Sequence, residues 1–277
     1  GNPARRTPPT RRKPAAPPEI LLPKMSTATP SQAGFSPAFQ RLGAALAAVV
    51  LQQQETLAEF LPREDWKADL TARTYSSGGV TVRVSLLGSY AVREQTWLWG
   101  WANPQFGEEH PAVVPTLVVR EIGQRLGVPE LVTPEVDLAW YDGPAGHGGE
   151  LIAVVAGGIL GGGGYIGAGY DGGSAYLHVD DPQAPRASWD PIPVPRLVAN
   201  AAGLFPHDSR LTLARLLSHH RVPYRQTPTT IEALLPGGGS ALARFDRQGR
   251  LTEWNSHIPA SSAGAETGGE GAAGRAW

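Results

Sequence analysis

Hydrophobic positions recur at three, four and seven residues through Phe39, Leu42, Leu46, Val49, Val50, Leu57 and Phe60. That spacing predicts an amphipathic helix over 37–61. Ser36-Pro37 supplies its N-cap and first-turn proline, and Pro62 closes it. Gln52-Gln53-Gln54 falls partly on its outer face. The period then shortens to two. Trp66 to Tyr75 alternates loosely as a strand, Ser76-Ser77-Gly78-Gly79 turns, and Val80, Val82 and Val84 alternate with Thr81, Arg83 and Ser85. After a turn at Arg93-Glu94-Gln95 comes Thr96-Trp97-Leu98-Trp99-Gly100-Trp101-Ala102-Asn103. Read as a strand, it puts three indoles on one face and Leu98, Gly100 and Ala102 on the other. The first helix is expected to cover one face of this meander.

Asn103-Pro104 stops the strand, and Pro115 to Leu126 reads as a helix closed by Gly127. An extended link follows to Tyr141, then a loop over 142–149. Leu151 to Val155 is apolar enough for a buried strand, but small residues continue to Leu160 and favour a helix over 150–160. Gly173 to Val179 is a strand. Beyond the Pro-rich link 182–195, helices are expected at 196–204 and 209–219, the second capped by Asp208. A second meander follows at 229–235, 241–245 and 250–254, with turns at Gly237-Gly238-Gly239 and Asp246 to Gly249.

Helix followed by meander thus occurs twice, without a residue-level repeat. The fold class is α+β, antiparallel β-meanders packed against amphipathic helices. Residues 37–183 form the main region, and 184–258 a helix-helix-meander region of the same composite domain. Residues 1–36 read as a disordered, basic, Pro-rich arm carrying Arg5, Arg6, Arg11, Arg12 and Lys13. Met25 is the sole methionine and opens Met-Ser-Thr, so 1–24 are expected to be an upstream extension not native to the protein. Residues 259–277 read as a disordered tail.

Composition narrows the function classes. A net charge of −1 gives no global field for nucleic acid, which is not expected as a partner; the basic arm is the one place it could touch. Zero cysteines exclude disulfides, cysteine nucleophiles and thiolate metal sites. No apolar run reaches the length of a membrane span, and the expected location is cytoplasmic. Gly-x-Ser-x-Gly, Ser-x-x-Lys and His-Glu-x-x-His are absent from the sequence.

Gly88-Ser89-Tyr90, the Trp97 to Asn103 run, Gly127 to Leu131, the small-residue helix leading to Tyr165, Asp171-Gly172-Gly173 and Tyr176-Leu177 together carry a resemblance. Over about 37–181 the chain resembles a bacterial family of unknown function with a Trp-Leu-Trp-Ala-Trp-Ala-Asn motif. The resemblance implies no chemistry. Gly100 stands where that family more often has Ala, which points to a close backbone approach.

Candidate site residues are weighed against packing. Trp97, Trp99 and Trp101 are expected chiefly in the core, with Asn103 and Ser89 as acceptors for indole N–H groups. Exposed instead, the indoles and Asn103 would form a ligand platform. Glu108, Glu109 and His110 lie in the loop at the strand exit, where a carboxylate and an imidazole could do acid–base work, with Asp171 joining from another element. Gly162, Gly164 and Gly167 satisfy G-x-G-x-x-G, but a dinucleotide site needs a strand before and a helix after. His178-x-Asp180-Asp181 and His207 with His219-His220 provide too few convergent ligands for a metal. No metal and no cofactor is expected. The expected function is a non-catalytic binding or protein-interaction module for a small molecule or protein; the alternative is a hydrolase-like small-molecule enzyme.

Overall fold

Ser36 accepts a hydrogen bond from the Phe39 amide at the start of helix α1 (Pro37–Phe60). The buried face of α1 is built from small residues, Gly43, Ala44, Ala45, Ala47 and Ala48, with Phe39, Val50 and Leu57. Small side chains let other helices approach closely. The computed structural model describes residues 34–62, 64–143 and 147–259. The basic arm before residue 34 and the tail from residue 260 lie outside them.

Strand β1 (Trp66–Asp69), β2 (Thr74–Ser77), β3 (Val80–Ala91), β4 (Thr96–Trp99) and β5 (Glu135–Asp137) pair in chain order, all antiparallel. This is the first expected meander. The single strand expected over 66–75 is instead a hairpin, because the chain reverses at 70–73 with Arg73 at φ 56°. Twelve residues long, β3 carries β4 on its C-terminal half, with Gly88 opposite Trp99 and Tyr90 opposite Trp97. The same half pairs β7 (Gly173–Val179), which in turn pairs β6 (Tyr165–Tyr170).

Helix α2 (Val114–Leu126) ends on Gly127 in the left-handed region. Helix α3 (Gly148–Leu160) is helical as expected over 150–160 and begins two residues earlier. Helices α4 (Val194–Leu204) and α5 (Ser209–His219) follow, and Asp208 caps α5. Then β8 (Tyr224–Gln226), β9 (Thr230–Leu235), β10 (Gly239–Phe245) and β11 (Leu251–His257) form a second antiparallel sheet in the order β11-β10-β9-β8.

The expectation that α1 lies directly over the first meander is corrected. Its main neighbours are α3, α4 and α5; α3 and α2 lie on β3, and α1 reaches the meander at its C-terminal end, where Leu57 packs in one cluster with Val82 and Val84. The glutamines expected partly on the outer face of α1 are bonding groups. Gln52 donates to the Ser188 carbonyl and Gln53 to that of Pro185, while Gln54 donates to the Tyr165 carbonyl and accepts from its amide. They tie α1 to the Pro-rich link and to β6.

Candidate functional site at the Trp strand exit

The Trp strand is shorter than its period suggests. Pairing with β5 ends at Leu98 and with β3 at Trp99, and Gly100–Ala102 forms a 3₁₀ turn. A Cβ on Gly100 would collide with the Leu86 carbonyl oxygen, so the close approach is real. Trp97 and Trp99 are fully buried and meet edge to face at 5.4 Å. Trp99 donates its N–H to the Glu130 carbonyl at 2.9 Å. Trp97 packs against the Tyr176 ring at 5.2 Å, and its own N–H is buried without a partner. Placed so, the two indoles are core and offer no open face for stacking.

Trp101 leaves the strand and turns toward α2. The Arg120 guanidinium lies 4.9 Å from its ring centroid, a cation–π contact. Arg120 also donates to the Glu108 carboxylate at 2.6 Å, which holds the Glu108 pKa below the ordinary carboxylate range. Trp101, Arg120 and Glu108 therefore stack outward from core to solvent. Asn103 is buried and accepts from the Gln105 amide, and the side chain of Ser89 bonds to Tyr170. Neither serves as the indole acceptor expected of it.

His110 accepts from the Ala112 amide through Nδ1 and packs on Phe106, while Glu109 is exposed. Asp171 sits exposed in the β6–β7 turn. The two places are held apart by β3. The loop reaches β3 where the Leu86 amide donates to the Ala112 carbonyl. The β6–β7 turn reaches it beside Ala91, five residues on, or ~17 Å along a strand. Asp171 therefore does not join Glu108, Glu109 and His110.

Beyond the exit, α2 presents an apolar row to solvent. Val114, Val118 and Leu126 are 43, 48 and 52 % exposed, with half-buried Ile122 between them at the same four-residue spacing. The opposite face of α2 buries Thr116, Val119 and Gly123.

A second cluster was not foreseen from the sequence. Glu150, in the first turn of α3, accepts from the Tyr165 hydroxyl at 2.5 Å and from the Tyr176 hydroxyl at 3.0 Å. His147 lies 3.3 Å from Tyr176 and stacks flat on Tyr90 at 3.9 Å. Burial raises both tyrosine pKa values, and the Glu150 charge adds to the effect; burial lowers that of His147. The available signal was a carboxylate in the first turn of an otherwise apolar helix, where the helix dipole favours it.

The remaining motifs resolve as structure. Gly162 and Gly164 lie between a helix and a following strand, the reverse of a dinucleotide fold. Asp180 pairs with both Arg73 and Arg83, and Asp181 accepts from the Arg83 amide, clasping β7 to the β2–β3 hairpin. His220 bonds to Gln52, and His207 Nδ1 accepts from the Asp208 amide. Among the described residues no three His, Cys, Asp or Glu side chains are placed to hold a metal, and no helix is long and apolar enough to cross a membrane.

Residues 40–182 match the profile of a family of unknown function, DUF6882, over just over half of the chain, and the chain belongs to that family. No curated protein and no solved structure matches it.

Proposed function

We propose that this DUF6882 member is a non-catalytic binding module for a protein partner, with the Trp strand exit and α2 as its working face. The observation that carries the reading is the exposed row Val114-Val118-Leu126. A four-residue ridge of branched apolar side chains on a helix is what packs into the groove of another helix. Arg120 and Glu108 would supply a polar rim, as interfaces require. Trp97, Trp99, Trp101 and Asn103 then act from beneath, fixing the position of α2 rather than touching the partner. In cells, a photo-crosslinking residue at Val118 should give a discrete protein adduct, and the same residue at Leu234, exposed on the second sheet, should give none. Equal labelling at both positions, or none at either, would count against the reading.

One observation favours the enzyme alternative. Glu150 holds two tyrosine hydroxyls with an imidazole beside them, a set able to move a proton. On that reading Glu150→Gln abolishes turnover of a chromogenic ester or phosphoester panel while leaving the fold intact. Wild-type protein inert across the panel speaks for the binding reading.

A further inference from the structure

We propose that two copies of this chain pair antiparallel through β11, about a two-fold axis passing through Asn255. Strand β11 ends the second sheet, and among the described residues it pairs only with β10. Thr252, Glu253, Asn255, Ser256 and His257 are exposed, and Leu251 and Trp254 half-buried. Such an edge presents unpaired N–H and C=O groups, which proteins ordinarily guard with Lys, Pro or a bulge. Here β11 has neither Lys nor Pro, and its one bulge lies near its start, leaving the five residues that follow regular. A register shift puts Phe245 opposite Leu251 and Arg244 opposite Glu253, so Thr252 is an inserted residue and the regular strand is Glu253 to His257.

Antiparallel pairing of identical strands keeps each face of the sheet continuous. Residues of one face then oppose each other, and the axis passes through a residue rather than between two. An axis through Glu253 would oppose the two Glu253 carboxylates. An axis through Trp254 would run into the bulge at Thr252 after three regular pairs, and one through Ser256 would pair only three residues. The axis through Asn255 pairs all five. It sets Glu253 opposite His257 of the second copy, Asn255 opposite itself, and Trp254 opposite the small Ser256. The half-buried indole can then lie across the serine and complete its burial. Arg244, 3.1 Å from Glu253 within the same sheet, balances the carboxylate from behind.

The full chain should sediment as a dimer at tens of micromolar. His257→Glu, which opposes carboxylates twice across the axis, should weaken the dimer about tenfold, and His257→Lys should preserve it. The chain has no cysteine, so Asn255→Cys places a single thiol on the axis. Directly opposed residues have Cα atoms about 4.5–5.5 Å apart, within disulfide range. Mild oxidation should therefore lock Asn255→Cys into a covalent dimer well before a Leu234→Cys control. A monomer at these concentrations, a dimer indifferent to His257→Glu, or equal crosslinking of the two cysteine variants would overturn the proposal.

Discussion

A methyl group on Gly88 would lie 2.5 Å from the Leu98 carbonyl oxygen and 2.6 Å from the Trp97 ring. The indole crosses the strand there because nothing stands in its way. Gly88→Ala must displace either the backbone of β4 or a fully buried tryptophan, at a cost of about 1–3 kcal/mol, measurable as a lower urea midpoint. His178 is 4 % exposed, and burial lowers its pKa to about 4. The unfolded state therefore takes up the proton first. Stability from this group is complete above about pH 6.5 and is lost as pH falls toward 4, by about 1.4 kcal/mol per unit or ~3 kcal/mol in all. Denaturant titrations should show wild type losing that much more than His178→Gln across the window. Equal losses would mean that His178 does not carry the effect.

Element limits were legible wherever a cap or breaker marks them. Ser36-Pro37 and Asp208 begin their helices, Gly127 ends α2, and Ser209–His219 has the expected bounds. Ser36 also bonds through its hydroxyl to Glu130 at 2.8 Å, joining the start of α1 to the segment that receives the Trp99 N–H. Ser36→Ala should cost about 1 kcal/mol and lower the melting temperature. No loss would show that the cap is dispensable. Reading failed where local signals compete with tertiary ones. Tyr165–Tyr170 is Gly-rich and is assigned no element from sequence, yet pairing with β7 makes it a strand. Tyr224–Gln226, three residues in the shadow of Pro223, gives no period at all. At Gly100 the alternation of tryptophans continues after the ladder has ended, so a period of two survived in a 3₁₀ turn. The Glu150 cluster was invisible because its members lie up to 86 residues apart in sequence, from Tyr90 to Tyr176, and β3–β7 and β6–β7 pairing bring them together.

At the scale of the molecule, all but the first three residues of α1 lie within the family match, but α4 and α5, which pack on it, lie beyond residue 182. Thr212 donates to the Ala44 carbonyl in the interior, and Phe205 fills the space over Gly43. A chain ended after residue 183 should therefore expose this face of α1 and lose cooperative unfolding, which a thermal melt would detect; a sharp transition would show the family segment to be self-sufficient. The open row on α2 differs in kind, since nothing in the described structure covers it. The deciding measurement combines Val114→Asp and Val118→Asp in the full chain and reads two quantities, melting temperature and crosslinking from an unnatural residue at Leu126. The binding reading predicts a melting temperature within about 2 °C of wild type, as for exposed sites worth under about 0.5 kcal/mol, together with loss of the partner adduct. An adduct that persists unchanged, or a melting temperature lowered by about 10 °C because the row is in fact core, would contradict it.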